Sequence, residues 1–315
     1  MILTLFLTWS PGRELLDGSH DRRTNGLWMQ HGWLGDDAWF KRYGKDVSKF
    51  RDIKTLNKTA EQLREHHITD IYPHLCPCST DGAIAQADKE QVERFLDAFT
   101  GFRIMPWVGG VNGSSAIINN KLWRKTFAQS CNDLLVQHPR LAGVHINIEP
   151  MRSGNQDYLL LLDELRTAIP PGKLLSVAAY PPPTFWQPVA AVHWDEDYSR
   201  AVAKRVDQAT VMMYDTSLRV PALYRQLMKD WTRQALTWYK PKEVLLGIPA
   251  YDDKGVSYHD PQTENLSNAL MGIHAGLDEP LPVSYRGVSV YCDWEMTPAK
   301  WQQLRRQFCA PDNNQ

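Results

Sequence analysis

The sequence lacks the features that mark a membrane protein or a nucleic-acid-binding protein. Its most apolar segment, "MILTLFLTW" at residues 1–9, is roughly half as long as a bilayer-spanning helix, so no transmembrane segment is predicted. The 35 basic and 36 acidic residues nearly cancel, and no long run of one charge occurs. No broad basic field is therefore available to bind nucleic acid or an anionic membrane surface.

Cysteine is also scarce. The five cysteines are an odd set, at positions Cys76, Cys78, Cys131, Cys292 and Cys309. Cys76 and Cys78 are too close in sequence for an easy mutual disulfide, and no second pair has the spacing of a zinc site. We therefore predict buried thiols, and the sequence implies neither a metal nor an organic cofactor. Cysteine usage does not fix the compartment.

The first 24 residues are predicted to stand apart from the main domain. Their apolar start lacks a basic n-region and a small-residue cleavage site. It is compatible with the stub of an export signal or with an extra strand. This start favours an exported location, periplasmic or extracellular, over the cytoplasm. Residues 25–315 are predicted to form one catalytic-type domain.

Residues 25–315 alternate short apolar runs with amphipathic helical windows. Alternating strands and helices imply parallel pairing, and eight such units match a single (β/α)8 TIM barrel of the α/β class. A doubly wound open sheet would carry a Gly-rich phosphate turn after its first strand, and "QHGWLGDDAWF" is not one. The eight candidate strands are residues 26–32, 68–75, 102–109, 142–149, 174–180, 209–215, 243–251 and 287–293.

In such a barrel the functional groups project from the carboxyl ends of the strands. The segment "AGVHINIE" (142–149) fits this arrangement, because His145, Asn147 and Glu149 alternate with apolar residues and so share one face. Glu149 ends the strand, where its charge or proton can act at the barrel mouth. Other candidate strands also end in polar or aromatic residues, namely His31, His74, Trp107, Tyr180, Asp215, Tyr251 and Asp293.

The same residues also have purely structural interpretations. Glu149 can pair with an arginine, and "MMYD" (212–215) can be three core residues followed by a helix cap. His145 can be a satisfied histidine of the barrel interior, since no H-x-H or H-E-x-x-H spacing suggests a metal site. The many aromatic residues can belong to the core instead of a sugar-stacking cleft. No G-x-S-x-G motif supports a serine nucleophile.

Three stretches together resemble glycoside hydrolase family 18, the chitinase-like hydrolases. "AGVHINIE" stands where that family carries D-G-x-D-x-D-x-E on its fourth strand. "VMMYD" (211–215) matches the family's M-x-Y-D on the sixth strand, and "EVLLGIPAY" (243–251) is similar to K-x-x-L-G-I-P-x-Y on the seventh. The order and spacing agree from about residue 140 to the C-terminal helix, and the resemblance implies the same barrel fold.

This sequence departs from the family pattern at the aspartates. They are replaced by Ala142, His145 and Asn147, and only the glutamate, Glu149, is retained. In the family that glutamate protonates the leaving oxygen, while the aspartate two residues earlier orients the substrate's own 2-acetamido group. The segment "INIE" is also similar to the motif of family 85 endo-β-N-acetylglucosaminidases, in which an asparagine holds the acetamido group. Asn147 is therefore interpreted as a functional substitution.

The resemblance implies a retaining glycosidase that acts on an N-acetylhexosamine-containing glycan without a cofactor. Glu149 would be the general acid/base, Asn147 would orient the acetamido group, and Tyr214 and Asp215 would hold that group and the sugar. The carbohydrate is the expected partner, and the oligomeric state is left open. The candidate sugar-binding residues are Trp107, Tyr180, Tyr251, Tyr291, Asp293, Trp294 and His145.

Two alternatives stay open at this stage. The loss of the motif's aspartates is what a non-catalytic, lectin-like carbohydrate-binding barrel would show. A glycosidase with two protein carboxylates would instead pair Glu149 with Asp293 or Asp215 and act on sugars that lack an acetamide. The orientation of Asn147 beside Glu149 and Tyr214 separates the substrate-assisted hypothesis from the lectin-like one.

Overall fold

The computed structural model describes residues 10–185, 189–253 and 255–311. Within these residues nine parallel strands form one sheet. They are β1 Asn25–Met29, β2 Ile68–Pro73, β3 Arg103–Ile104, β4 Trp107–Val111, β5 Gly143–Glu149, β6 Leu174–Ala179, β7 Gln208–Met212, β8 Glu243–Pro249 and β9 Tyr285–Tyr291. Their order in the sheet is β3-β2-β1-β9-β8-β7-β6-β5-β4.

The sheet closes into a barrel because β3 and β4 are two halves of one barrel strand. β3 pairs with β2, whereas β4 pairs with β5 on the other side. The interruption falls at Met105-Pro106, where proline removes a backbone donor. A further bridge joins His74 to Trp107 across the same seam. The predicted (β/α)8 barrel is confirmed, with strand bounds that differ from the predicted ones by a few residues.

Helices follow the strands around the outside of the barrel. Those of the described residues are α1 Asp37–Tyr43, α2 Ser48–Arg51, α3 Ile53–Glu65, α4 Lys89–Ala98, α5 Lys121–Gln137, α6 Gln156–Ala168, α7 Glu196–Ala203, α8 Pro221–Trp238, α9 Leu266–Gly276 and α10 Pro298–Gln307. Side-chain caps start most of them: Asn155, for example, accepts from the Tyr158 N–H, and Thr297 accepts from the Lys300 N–H. None of these helices is both long and apolar enough to cross a membrane.

The short helices α1 and α2 lie between β1 and α3 and were not predicted. Their sequence contains no long apolar period, so the helical pattern becomes visible only at α3. They bring Trp39 and Phe40 to the barrel mouth, where Phe40 packs against Phe50 with ring centroids 5.3 Å apart. The loop after β1 is thereby a structured wall of the mouth.

The amino-terminal end of the barrel is closed by a polar network around the fully buried Asp70. Arg103 donates to both oxygens of the fully buried Asp70, at 2.8 and 2.5 Å. Gln208 donates to Asp70 at 2.6 Å, and Arg286 donates to Glu243 at 3.0 Å. These residues come from the beginnings of different strands, so the network ties the strands together at this end. The functional groups are left to the opposite end.

The residues before β1 follow the outside of the barrel. The Arg13 N–H donates to the carbonyl oxygen of Met271 at 3.1 Å, and the Tyr285 hydroxyl donates to the carbonyl oxygen of His20 at 3.1 Å. The export-signal stub or extra strand expected at the start falls mainly on residues 1–9, which lie outside the described residues. All five cysteines are buried thiols, as predicted.

Candidate active site

Glu149 lies at the carboxyl end of β5 and is the acidic centre of the barrel mouth. Its Oε1 accepts a hydrogen bond from Asn147 Nδ2 at 2.8 Å. Its Oε2 accepts from the Tyr180 hydroxyl, just after β6, at 2.9 Å. Both neighbours were predicted site residues, and the structure brings them into direct contact with Glu149.

The environment of Glu149 favours its protonated form. Burial raises the pKa of this carboxyl above its ordinary value, and the nearby charge of Asp215 raises it further. The hydrogen bonds from Asn147 and Tyr180 act in the opposite direction, because they stabilise the carboxylate, but they do not outweigh burial. A raised pKa suits a carboxyl to general acid catalysis, because the proton stays available over a wider range of pH.

Asn147 presents an unused acceptor beside this acid. Its Oδ1 atom is buried and has no hydrogen-bond partner among the described residues. The neighbouring strand makes room for the site, because Asn147 pairs with Gly109 of β4. A Cβ atom on Gly109 would lie 1.9 Å from the carbonyl oxygen of Asn147, so only glycine permits this approach. Asn147 Oδ1 is therefore an acceptor that is available beside Glu149.

Tyr214 and Asp215 follow β7 on the opposite side of the mouth. The Tyr214 ring stacks on Tyr291 with centroids 5.2 Å apart and lies edge-on to Tyr251 at 5.9 Å. Burial raises the pKa of the Tyr214 phenol well above its ordinary value, so this hydroxyl stays protonated and remains a donor. Tyr251 donates a hydrogen bond to Asp215 Oδ1, which directs the carboxylate.

Two cavities open at this mouth. The first, of about 420 Å³, is lined by Glu149, Tyr180, Met212, Tyr214, Asp215 and His193. The second, of about 550 Å³, is lined by His31, Trp39, His74, Trp107, Tyr291 and Trp294. Both volumes lie within the roughly 300–1,000 Å³ that small-molecule sites occupy. Since Tyr291 of the second cavity stacks on Tyr214 of the first, the two adjoin beside Glu149.

The second cavity is largely aromatic. The His31 ring lies parallel to Trp39 with centroids 4.2 Å apart, and His74 packs against Trp107 at 4.1 Å. Trp294 is 41% exposed, so its ring is available to a ligand. The predicted Trp107, Tyr291 and Trp294 thus meet in one cleft, while Trp39 was missed because no motif marks the loop helix that bears it.

One predicted sugar-binding residue, His145, lies below the mouth. His145 is fully buried below the mouth, where Nε2 accepts from the Trp28 indole at 3.1 Å and Nδ1 meets Ser176 Oγ at 2.8 Å. Burial lowers its pKa to about 3, so the ring is neutral. His145 is therefore a residue of the barrel interior, which corrects the expectation of a direct sugar contact. The alternation along β5 correctly predicted that His145 and Asn147 share one face, but His145 lies one layer further into the barrel than Asn147.

Asp293 is held by the segment after β1. Its Oδ1 accepts from the Gln30 N–H at 2.9 Å and its Oδ2 from the Trp33 indole at 3.3 Å. Burial raises its pKa to about 6. Through these two contacts Asp293 joins the end of β9 to the segment after β1.

Two groups of potential metal ligands occur among the described residues. One consists of Asp215, His259 and Glu264, whose ligand atoms all lie within 4.8 Å of one another at the edge of the first cavity. The ligand atoms of the other group, Asp21, His67 and Cys309, also lie within 4.8 Å of one another. Asp21 precedes β1, His67 precedes β2 and Cys309 follows α10, so this group lies at the opposite end of the barrel. His259 and Glu264 were missed in the sequence, since nothing in "HDPQTE" (259–264) announces their contact with Asp215.

Replacing Tyr180 by Phe is expected to move the pH dependence of activity. The hydroxyl stabilises the Glu149 carboxylate, so its loss raises the pKa of Glu149. An acid that must be protonated then works to higher pH, and the alkaline limb of the kcat/KM profile moves upward. The Tyr258→Phe variant is the control, because Tyr258 lines the same cavity but is 50% exposed. An alkaline limb that stays in place or moves downward in Tyr180→Phe would contradict the prediction.

A (β/α)8 barrel with a buried glutamic acid of raised pKa at a strand end and an aromatic cleft beside it has the arrangement expected of a carbohydrate-active barrel protein. Residues 48–310 match the family model described as glycosyl hydrolases family 18. The chain therefore belongs to glycosyl hydrolase family 18, and it is a glycosidase. No curated protein matches the sequence.

Solved structures of several proteins share the fold. The spore cortex-lytic enzyme SleL of Bacillus cereus is 13% identical with a TM-score of 0.59, over 90% of this chain and 74% of that one. A chitinase from Rhizomucor miehei is 15% identical with a TM-score of 0.57, over 90% and 99%. A chitinase-like agglutinin from Robinia pseudoacacia is 14% identical with a TM-score of 0.52, over 90% and 98%. At these identities the likeness establishes the fold alone.

Proposed function

We propose that this glycosidase hydrolyses a glycan that contains N-acetylhexosamine, with retention of configuration and with the substrate's acetamido group as the nucleophile. The observation that carries the proposal is the unpaired Asn147 Oδ1 beside Glu149, whose pKa is raised by burial. An acetamide supplies one N–H donor, and this oxygen is a buried acceptor without one. A sugar without the acetamide would leave the acceptor unsatisfied, which costs about 1–3 kcal/mol.

The first chemical step uses Glu149 as the acid. Its carboxyl proton passes to the glycosidic oxygen as the bond to the anomeric carbon breaks. The acetamide carbonyl oxygen attacks that carbon from the opposite face and forms an oxazoline-type ring. In the second step the Glu149 carboxylate takes a proton from water, whose oxygen opens the ring. Two inversions at one carbon give retention.

Asn147, Tyr214 and Asp215 position the acetamide during these steps. Asn147 Oδ1 accepts its N–H, while the Nδ2 group keeps its bond to Glu149. The Tyr214 hydroxyl, which stays protonated, donates to the acetamide oxygen or to the sugar. Asn147 is neutral and cannot balance a positive charge on the ring as a carboxylate would. Asp215 is then the negative group near the reacting sugar, and its charge is sensed by Glu149.

The aromatic cleft offers a surface for a neighbouring sugar of the chain. Trp107, Tyr291 and Trp294 line it next to the cavity that holds Glu149. Flat aromatic faces cover the apolar faces of sugar rings, while hydroxyl groups reach the polar rim. An oligosaccharide that occupies both cavities would therefore pass across Glu149, which suits a glycan more than a free monosaccharide.

The alternative with two protein carboxylates is disfavoured by the contacts of both candidates. The oxygens of Asp293 accept hydrogen bonds from Gln30 and Trp33. Asp215 accepts from Tyr251 and lies 3.4 Å from His259 Nδ1. Both aspartates already accept hydrogen bonds from protein groups, whereas Asn147 Oδ1, beside Glu149, accepts none among the described residues.

The proposal is tested with pairs of aryl glycosides that differ only in the 2-acetamido group. We expect hydrolysis of N-acetylglucosaminides or N-acetylgalactosaminides and little or none of the matching glucosides and galactosides. A thiazoline analogue of the oxazoline ring should inhibit competitively. Equal activity on both sugar types would overturn the acetamide mechanism. Saturable binding of a chito-oligosaccharide without turnover of any substrate would favour the lectin-like barrel.

The Asn147→Ala variant is expected to lose activity on acetamido substrates by about a hundredfold, since a misplaced nucleophile costs on that order. Because the hydrogen bond to Glu149 is also lost, the pKa of Glu149 should rise. Steady-state kinetics over a range of pH would separate the two effects. Asn112, which donates to the carbonyl oxygen of Pro150 near the same strand end, supplies the control variant Asn112→Ala. Equal losses in the two variants would contradict a specific role of Asn147.

A further inference from the structure

The aromatic cleft contains two lysines that the proposed mechanism does not use. Lys45 and Lys49 line the cavity of about 550 Å³ together with Trp39, Trp107 and Tyr291. Lys45 follows α1 and Lys49 lies in α2, and both residues are exposed. The wall of the mouth that carries Trp39 therefore also carries two positive charges to the cleft.

Aromatic rings restrain both ammonium groups. Lys45 Nζ lies 4.7 Å from the centroid of the Trp39 ring, and Lys49 Nζ lies 4.7 Å from that of the Phe50 ring. The face of an aromatic ring attracts a cation, so these contacts favour particular positions of two otherwise flexible side chains. Phe50 is fully buried, so the ring beneath Lys49 is fixed by the fold. Both positive charges are thus held beside the cleft.

Neither lysine has a direct acidic partner. Among the described residues no carboxylate forms an ion pair with Lys45 or Lys49, whereas the acids nearby in sequence have partners of their own. Asp36 pairs with His31, Asp37 pairs with Arg51, and Asp46 accepts from the Ser48 hydroxyl. An anion that enters the cleft could therefore contact two cations that no protein carboxylate occupies.

The other titratable groups near the cleft do not cancel this charge. Burial lowers the pKa of His74 well below its ordinary value, so this ring is neutral. Asp293 does not line the cavity. Burial raises the pKa of Asp293 to about 6, and the charge of Lys49 acts in the opposite direction. An ionised Asp293 would offset one of the two positive charges, so the cleft stays positive on balance.

The two adjoining cavities therefore differ in charge. The first contains the carboxyl groups of Glu149 and Asp215, whereas the second is lined by two ammonium groups and no acid. Burial and the charge of Asp215 raise the pKa of Glu149, so a further negative group beside them is disfavoured. A glycan with one anionic sugar would bind in one direction, with its neutral N-acetylhexosamine beside Glu149 and its anionic sugar in the aromatic cleft.

We propose that the aromatic cleft binds a sugar that carries a carboxylate, and that Lys45 and Lys49 recognise this carboxylate. The proposal rests on the function proposed above, because it places the N-acetylhexosamine of the same glycan beside Glu149. An ammonium group donates up to three hydrogen bonds, and a carboxylate accepts them through two oxygens. The face of the sugar ring would lie against Trp294, which is 41% exposed. Uronic acids and lactyl ethers of hexosamines both present such a carboxylate.

The proposal is tested with a matched pair of ligands that differ in charge. One is an oligosaccharide of alternating N-acetylglucosamine and glucuronic acid, and the other is its methyl ester. Binding to Glu149→Gln, which should not consume the ligand, is followed through tryptophan fluorescence, since Trp39, Trp107 and Trp294 line the cleft. At low salt we expect the acid to bind about tenfold more tightly than the ester, with a smaller difference at high salt. Equal affinities at low salt would overturn the proposal.

Substitution of the lysines shows which charges produce the preference. Introduced into the same variant, Lys45→Gln and Lys49→Gln should each weaken binding of the acid about threefold, as expected for exposed ion pairs, and leave binding of the ester unchanged. Together they should abolish the preference. Lys41→Gln is the matched control, because Lys41 is an exposed residue of α1 that does not line the cavity. A preference that persists without both lysines, or an equal loss in the control, would contradict the assignment.

Binding requires no turnover, so this test can be separated from that of the proposed function. If the wild type hydrolyses no acetamido glycoside, the proposed function fails, and the binding data still decide the role of the lysines. If it hydrolyses these glycosides but the acid and the ester bind equally, only the carboxylate proposal fails. A ligand with N-acetylmuramic acid in place of glucuronic acid distinguishes the two sources of the carboxylate, since the tighter of the two identifies the preferred one. Binding of neither acid would overturn the proposal.

Discussion

The Glu149→Gln variant is expected to lose about 10²–10⁴-fold in kcat/KM on an acetamido substrate, which is the usual range for a positioned general acid. The amide keeps the size of the side chain and can still accept from the Tyr180 hydroxyl. Its NH2 group then faces Asn147, whose own amide must turn over so that Oδ1 accepts from it. It has no acidic proton for the leaving oxygen and cannot deprotonate water. The expected loss therefore reflects chemistry and not folding.

The role of Glu149 as acid can also be tested by comparing substrates whose leaving groups differ in acidity. A substrate with a strongly acidic phenol needs little protonation, so the loss in Glu149→Gln should be smaller for a dinitrophenyl glycoside than for a methylumbelliferyl glycoside. Asp252→Asn is the matched control, because it exchanges another acid near the mouth that pairs with Lys300 at 2.9 Å. Equal losses for both leaving groups, or a similar loss in the control, would remove Glu149 from the role of acid.

The second large effect is expected at the other end of the barrel. Asp70→Asn should lower the free energy of unfolding by about 3–5 kcal/mol, the usual cost of removing one partner of a buried ion pair. The Asp70 side chain is fully buried and binds Arg103 through both oxygens, at 2.8 and 2.5 Å. The neutral amide would leave the guanidinium with only Glu243 as an acidic partner, at 2.7 Å.

Urea unfolding checks this prediction through the midpoint at constant slope. Glu196→Gln is the control, since its pair with Arg200 is exposed, at 50% and 42%, and such pairs contribute roughly 0–1 kcal/mol. The network lies far along the strands from Glu149, so kcat of the folded Asp70 variant should stay close to that of the wild type. A loss below about 1 kcal/mol would mean that Glu243 alone satisfies Arg103.

Local pattern was sufficient to predict the barrel and its acid. The polar alternation of "AGVHINIE" placed Asn147 and Glu149 on one face, and parallel strands all direct their carboxyl ends to the same mouth. The contact between Asn147 and Glu149 spans two residues, so strand geometry alone brings them together. The resemblance to the family then suggested chemistry for residues whose positions the periodicity had already implied.

The alternating pattern could not predict how far from the barrel mouth each side chain lies. His145 shares the face of Asn147, but whether a side chain lies at the mouth or below it depends on the stagger of the neighbouring strands. Trp28 and Ser176, from two other strands, occupy both nitrogens of His145 and make it an interior residue. The contacts of Asp293 were not predicted for a similar reason, because Gln30 and Trp33 reach it from across the closure of the barrel.

The sequence by itself determined that the chain forms an α/β barrel and that Glu149 stands at its mouth, because both follow from short-range periodicity. Only the tertiary structure decided which residues distant in sequence complete the surroundings of that acid. The loop helix α1 carries Trp39 to the aromatic cleft, and the segment after β8 carries His259 and Glu264 to Asp215. These contacts join residues that are distant in sequence, and they are set by how loops fold over the strand ends, which no local spacing encodes.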